Sequence, residues 1–418
     1  MNLIKLPVAE LQLGMYIEKM AGPWLASPFW QRQLLLDNVD DLNKLRASTI
    51  REVWINLAKS TIVVSPAGSA DAPAPPAEPA AITEPAPPPA VRPALNAIVP
   101  VGIADELEHA TVLLKKSREA VQSMFMEARM GKAISMEAAA PLVDEIAESV
   151  LRNSDAMIGL ARLKTSDDYT YMHSVAVCAL MVALGKQLNL DDDALREAGM
   201  AGLLHDIGKM AIPLTILQKP GKLSDEEYQQ IKRHPKAGYD MLASLPMIPA
   251  AALDVCLHHH EKIDGSGYPE GLKGGSISLY SRMGAICDVY DAITSNRPYK
   301  QGWCPAESLR RMAEWSKGHF DERIFAAFVK CLGIYPIGTL VRLKSERIGV
   351  VVEQATGKPL TKPKVRVFYS AKSRSYLRPE LIDLSAPGVK DGIASTEEAA
   401  TWGLEDIDRY WSGEVEFI

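Results

Sequence analysis

Eleven of the chain's 28 prolines fall between Pro66 and Pro100, interleaved with alanine. Proline fixes φ and offers no backbone donor, so such a stretch cannot build a packed core. Residues 66–100 read as an extended, solvated linker. It divides the 418 residues into a short N-terminal part and a long C-terminal part.

Residues 1–65 read as a small α+β domain. Leu11 to Ile17 and Val53 to Leu57 have the partial alternation of strands, with a short helix from Asp37 to Arg46 between them. Trp24 and Trp30, with Pro23, Pro28 and Phe29, form either the core of this domain or a recognition surface.

After the linker the pattern is mainly α. Residues 101–165 read as connecting helices, Asp105 to Met130 and Ala138 to Lys164, with Leu142, Ile146 and Val150 at helical spacing. They pair with each other, with the next domain or with a second subunit in a homodimer. Residues 166–334 carry more helices. Ser174 to Leu184 is apolar all round, as in a buried helix, and too short to span a bilayer. Asp191 to Leu204 is amphipathic and ends at His205-Asp206. Asp225 to His234 follows, with Ser224 as a natural N-cap. Leu253 to Glu261 leads into a glycine-rich loop, and Ile277 to Asn296 carries Asp288 and Asp291. Residues 335–418 read as a small β-rich appendage with strands at Thr339–Leu343, Ile348–Val352 and Val365–Phe368 and a helix-prone tail bearing Trp402 and Trp411.

The net charge of -6 argues against a DNA or anionic-membrane binder, while leaving room for a local basic pocket. Five scattered cysteines without CxxC spacing read as reduced thiols. With no visible signal peptide or membrane span, a cytoplasmic protein is expected.

Six of the eight histidines lie between His173 and His260. His205-Asp206 is a compact ligand pair: the imidazole holds one ion while the carboxylate reaches a second. His173 and Asp288 can complete one shell, and His234 with His259-His260 the other. Nitrogen and oxygen donors without thiolate suit iron, manganese, nickel or zinc. Two divalent ions held this way generate a nucleophile from water near neutral pH. A lone histidine is more often a core residue, but three adjacent imidazoles beside Glu261 have no packing rationale. Lys209 is either a phosphate partner or a helix-terminal cation favoured by the dipole. Asn296 to Lys300 is either a solvated loop or a site for a phosphate and a stacked base. Gly265, Gly267 and Gly271 would let backbone approach a ligand closely.

These residues together resemble the HD-GYP family of bacterial cyclic dinucleotide phosphodiesterases. The likeness runs from His173 through Leu203 to Lys209, Lys219 to Leu223, His234-Pro235, His259 to Pro269 and Asp288 to Ala292, ending at Arg297-Pro298-Tyr299-Lys300. It implies an HD-type helical bundle that hydrolyses cyclic di-GMP to pGpG, which a further cleavage would take to GMP, and so acts on motility and biofilm formation. It implies metal-ligand roles for His173, His205, Asp206, His234, His259, His260 and Asp288, with Asp206 and Lys209 at the chemistry. Lys209, Gly267, Tyr268, Arg297 and Lys300 would contact substrate, and signalling proteins would dock through the glycine-tyrosine-proline loop or the N-terminal domain. That N-terminal segment resembles a small domain often fused to the family.

Members with three metals carry a glutamate one turn before the first histidine. Tyr169 stands there, so two ions are expected; Asp168 would substitute only if the backbone turned differently. His258 is expected to be no ligand. A non-catalytic cyclic di-GMP sensor and a phosphohydrolase of another cyclic nucleotide are the alternatives.

Overall fold

A computed structural model describes residues 3–8, 11–20, 34–36, 42, 52–57, 59–60, 94–163, 169–219, 221–245, 247–296, 302–354, 357 and 359–413. Arg297, Lys300, Asp168, Trp24, Trp30 and most of the expected helix at 37–46 lie outside these residues. The chain forms two compact units, 1–90 and 91–418.

Among the described residues the first unit has four short strands, β1 (Leu3–Pro7), β2 (Tyr16–Met20), β3 (Leu34–Leu35) and β4 (Glu52–Asn56), in the antiparallel order β1-β4-β2-β3. Leu11, Met15, Ile17, Val53 and Ile55 fill its core. The expected strand at 11–17 starts only at Tyr16. Gly14 has φ 89°, a left-handed turn that ends any extended run before it.

The second unit is a helical bundle carrying a β-sheet. Its helices are α1 (Ile103–Arg129), α2 (Met136–Arg162), α3 (Tyr169–Gln187), α4 (Asp192–Leu204), α5 (Leu214–Leu217), α6 (Asp225–Ile231), α7 (His234–Ala243), α8 (Ala250–His258), α9 (Leu279–Thr294), α10 (Pro305–His319), α11 (Glu322–Leu332), α12 (Ala399–Trp402) and α13 (Arg409–Ser412). Helix α3 is the central rod, with fourteen of its nineteen residues buried. An all-apolar sequence gives it no solvent face, so other helices must wrap it.

Two expected helices differ in the structure. The run from 138 to 164 is broken at Asn153 (φ -158°, ψ 101°). There the Asn153 amide accepts from the Ala156 N–H and donates to the Val101 carbonyl, so the side chain caps a fresh helix and bends the rod. The run from 225 to 234 stops at Ile231, and His234 opens α7 instead, because Pro235 suits a first helical turn and lacks the donor an interior needs. Ser224 caps α6 in a reciprocal capping box with Glu227, as expected of it.

Residues 66–93 of the expected linker lie outside the described residues; at its end Leu95–Ala97 form a 3-10 turn, in which Leu95 is buried and its N–H donates to Asp192.

Strands β5 (Leu340–Leu343), β6 (Arg347–Glu353), β7 (Lys364–Ser370), β8 (Ser375–Asp383) and β9 (Ile393–Thr396) form an antiparallel sheet in the order β8-β7-β6-β5-β9. Alternation along β6 sends Ile348, Val350 and Val352 into the bundle core, while Val351 joins a second cluster on the far face. Among the described residues no helix is long and apolar enough to cross a membrane.

Candidate metal centre

Two close helix crossings assemble the site. A Cβ on Gly202 of α4 would lie 2.8 Å from the Val177 carbonyl oxygen of α3, so only glycine lets α4 bring His205 beside His173. A Cβ on Gly208 would lie 1.9 Å from the His234 carbonyl oxygen, so the 3-10 turn Ile207–Ala211 rests directly on the start of α7. That contact sets Asp206 against His234.

The seven expected ligands converge. His173, His205 and Asp206 form one group, and His234, His259 and His260 another, each with ligand atoms within 4.8 Å of one another. Asp206 lies between them. Its Oδ2 is 3.4 Å from the Nε2 atoms of both His173 and His205, while Oδ1 is 3.3 Å from His234 Nε2 and 3.8 Å from His259 Nε2. Asp288 also reaches both sides: Oδ1 is 3.0 Å from His173 Nε2 and Oδ2 is 3.8 Å from His260 Nδ1.

Four imidazoles are held in one tautomer. The Nδ1–H groups of His205, His234 and His259 donate to the carbonyls of Gly202, Ile231 and Val255 at 2.8, 2.8 and 2.9 Å. His173 Nδ1 meets Asp291 Oδ2 at 2.6 Å. Each Nε2 lone pair therefore points inward. The Nε2 atoms of His173 and His205 are 3.3 Å apart, as are those of His234 and His259. Two lone pairs at that distance repel unless a cation lies between them. Asp206 Oδ1, fully buried, finds no hydrogen-bond donor, and an orphaned anionic oxygen at such a place is costly without a cation. The donor set thus fits divalent metal ions.

The charges agree. Burial pushes His260 down to about 3, and burial with the neighbouring imidazoles puts His259 well below the usual range, so both are neutral donors. Burial would raise the Asp206 carboxyl, but Lys209 and the histidines hold it well below the carboxylate range. Lys209 Nζ is ion-paired with Asp206 Oδ2. Exposure gives the centre a direction: His173, His205, Asp206, His234, His259 and Asp288 are buried, whereas Lys209 and His260 are partly exposed.

The glycine-rich loop closes the open side. Tyr268 stacks on His260, with ring centroids 4.7 Å apart. Gly267 was expected to give a ligand close backbone approach, but the close approach here is to its own chain. A Cβ there would lie 2.4 Å from the Lys262 nitrogen and 2.6 Å from the His260 carbonyl oxygen. His258 turns away from the centre to Asp254 at 2.8 Å.

Two residues had no assigned role at the level of sequence. Glu261 is buried and accepts the N–H groups of Glu270, Gly271 and Leu272 at 2.7, 3.0 and 3.0 Å, which pins the loop. Asp291 orients His173; its signal is its position one turn after Asp288 on the same helix. Asp291→Asn is expected to weaken metal binding about 10- to 100-fold, the usual cost of losing an orienting carboxylate. Competition with a chelator measures it; affinity equal to wild type would remove Asp291 from the centre.

Comparison with known proteins places this geometry. Residues 145–324 match the HD domain family, and residues 3–139 match a domain of unknown function (DUF3391). A cyclic di-GMP phosphodiesterase of Pseudomonas aeruginosa is 52% identical over 410 residues, covering 98% of this chain and 95% of that protein. A cyclic di-GMP phosphodiesterase response regulator of Xanthomonas campestris is 39% identical over 41% of this chain and 47% of its own. A 3'3'-cGAMP-specific phosphodiesterase of Vibrio cholerae is 39% identical over 42% of this chain and 41% of its own.

Proposed function

The chain belongs to the HD-GYP family of cyclic di-GMP phosphodiesterases, and from that membership we propose how its residues act. It hydrolyses cyclic di-GMP, opening one phosphodiester to give pGpG, with a second cleavage to GMP at the same site. The observation that carries this reading is 52% identity along nearly the whole of a cyclic di-GMP phosphodiesterase.

Two divalent ions, iron or manganese by the nitrogen and oxygen donors, would be held by His173, His205, Asp206 and Asp288 on one side and by Asp206, His234, His259 and His260 on the other. Ions held there would supply a water-derived nucleophile at neutral pH and offset charge on the phosphate. Lys209, paired with Asp206 at the opening, adds a cation beside the phosphoryl oxygens. The Tyr268 ring covers His260 and shapes the base side of the pocket, while Gly267 seats the loop that carries it. Arg297 and Lys300, which lie outside the described residues, would contact a phosphate of the substrate.

Two ions rather than three follow from Tyr169. Its ring stacks on His173, nearly parallel at 9° and 5.6 Å between centroids, where a third ion would need a carboxylate. A neutral phenol is a poor ligand.

Purified protein reconstituted with iron or manganese is expected to convert cyclic di-GMP to pGpG and to carry two ions per chain. Chromatography of products and elemental analysis test both. Absence of hydrolysis with either metal would overturn the activity; three ions would overturn the role given to Tyr169.

A further inference from the structure

Beyond Tyr268 the wall of the site continues through two residues with no role so far. Lys232, in the break between α6 and α7, holds its ammonium 4.6 Å from the centroid of the Tyr268 ring and 5.6 Å from that of Tyr228. His260, Tyr268, Lys232 and Tyr228 thus form a ladder that starts at the metal ligands and runs outward. Tyr228 is 48% exposed, so the outer end of the ladder is open to solvent.

The ammonium makes no ion pair or hydrogen bond with the described residues; its contacts are the two ring faces. Such contacts stabilise a cation but leave its N–H groups without acceptors. A half-buried lysine held in this way at the rim of a site is ready for an acceptor that arrives with substrate. The inner end already serves the phosphate, through His260, Asp288 and Lys209. A base, joined to that phosphate through its ribose, belongs further out, where the rings are.

We propose that Lys232, clasped between Tyr228 and Tyr268, is a specificity-determining residue that reads the acceptor edge of a guanine base. Guanine presents O6 and N7, both acceptors, whereas adenine replaces O6 with an amino donor. An ammonium favours the first and meets a like donor in the second, so Lys232 selects guanine over adenine at one base of the cyclic dinucleotide. Over 41% and 42% of its length the chain is 39% identical to a cyclic di-GMP enzyme and to a 3'3'-cGAMP-specific one, so likeness in that region alone does not name the residue that separates guanine from adenine.

The inference rests on the reading of the site as a cyclic dinucleotide phosphodiesterase. It is tested on the full-length metal-loaded protein with cyclic di-GMP, 3'3'-cGAMP and cyclic di-AMP. Lys232→Met keeps the stem and removes the charge. The preference for cyclic di-GMP over cyclic di-AMP in kcat/KM is expected to fall about 10- to 100-fold, the scale of one charged hydrogen bond, with the loss mainly in KM. Lys232→Arg should restore it, and Lys232→Gln should shift preference toward adenine. A preference ratio unchanged in Lys232→Met, with equal losses on all three nucleotides, would overturn the proposal. Calorimetric binding of GMP against AMP to the same proteins separates the two readings. If wild type hydrolyses no cyclic dinucleotide but prefers GMP through Lys232, the activity fails and the residue's role stands; if that preference survives Lys232→Met, the role fails.

Discussion

Asp206→Ala is expected to lower hydrolysis of cyclic di-GMP by on the order of a thousandfold or more, about 4 kcal/mol in the activation barrier. The reason lies in where its two oxygens point. One faces His173 and His205, the other His234 and His259. Removing any single histidine strips one group; removing Asp206 strips both and takes away the partner of Lys209 as well. Metal content should therefore fall along with rate. The metal-free protein should lose some stability as well, because the ion pair between Lys209 and Asp206 Oδ2 goes with the carboxylate. What should disappear is the rise in Tm that metal confers on wild type, since a ligand stabilises only the state that binds it. Thermal unfolding with and without manganese, beside the product assay, measures both effects. A variant within tenfold of wild type would rule out the shared-ligand role.

Much of this centre was legible in the sequence because metal ligands are chemically conspicuous. His205-Asp206, His234 and His259-His260 are rare residue types in a regular order, and the structure brings them together. Their orientation was not legible. The Nδ1 atoms of His205, His234 and His259 donate to carbonyls three or four residues back in the chain. Those bonds depend on each histidine standing at a helix end, which periodicity locates only to within a few residues. The bend at Asn153 escaped for a related reason: the apolar spacing continues through it, and only the side-chain cap marks the break. Glu261 had no role legible from its place beside three histidines, because its carboxylate serves the backbone of a loop nine to eleven residues on. Lys232 could not be read at all. Its meaning comes from Tyr268, 36 positions away in the chain, and spacing carries no information about a contact made across a fold.

Gly208→Ala is expected to destabilise the bundle and disable the centre together, although it adds one methyl group to a residue that touches no ligand atom through a side chain. The new Cβ would lie 1.9 Å from the His234 carbonyl oxygen, 2.4 Å from the Gly238 nitrogen and 2.8 Å from the Gly238 Cα. All three are backbone atoms, so no rotamer change relieves the clash. Overpacking a core with one methylene costs about 1–3 kcal/mol when side chains can shift. Here the 3-10 turn and α7 must separate as units, so a loss of about 3 kcal/mol or more is expected. Separation carries Asp206 away from His234, which splits the two ligand groups at the residue they share. Gly275→Ala is the matched control: a Cβ there meets nothing within 4 Å, and its stability should stay within about 0.5 kcal/mol of wild type. Thermal unfolding and metal content of the two variants decide the matter. Gly208→Ala with wild-type Tm and a full complement of metal would mean that the turn can shift without the centre noticing, and that the close crossing at Gly208 does not position Asp206.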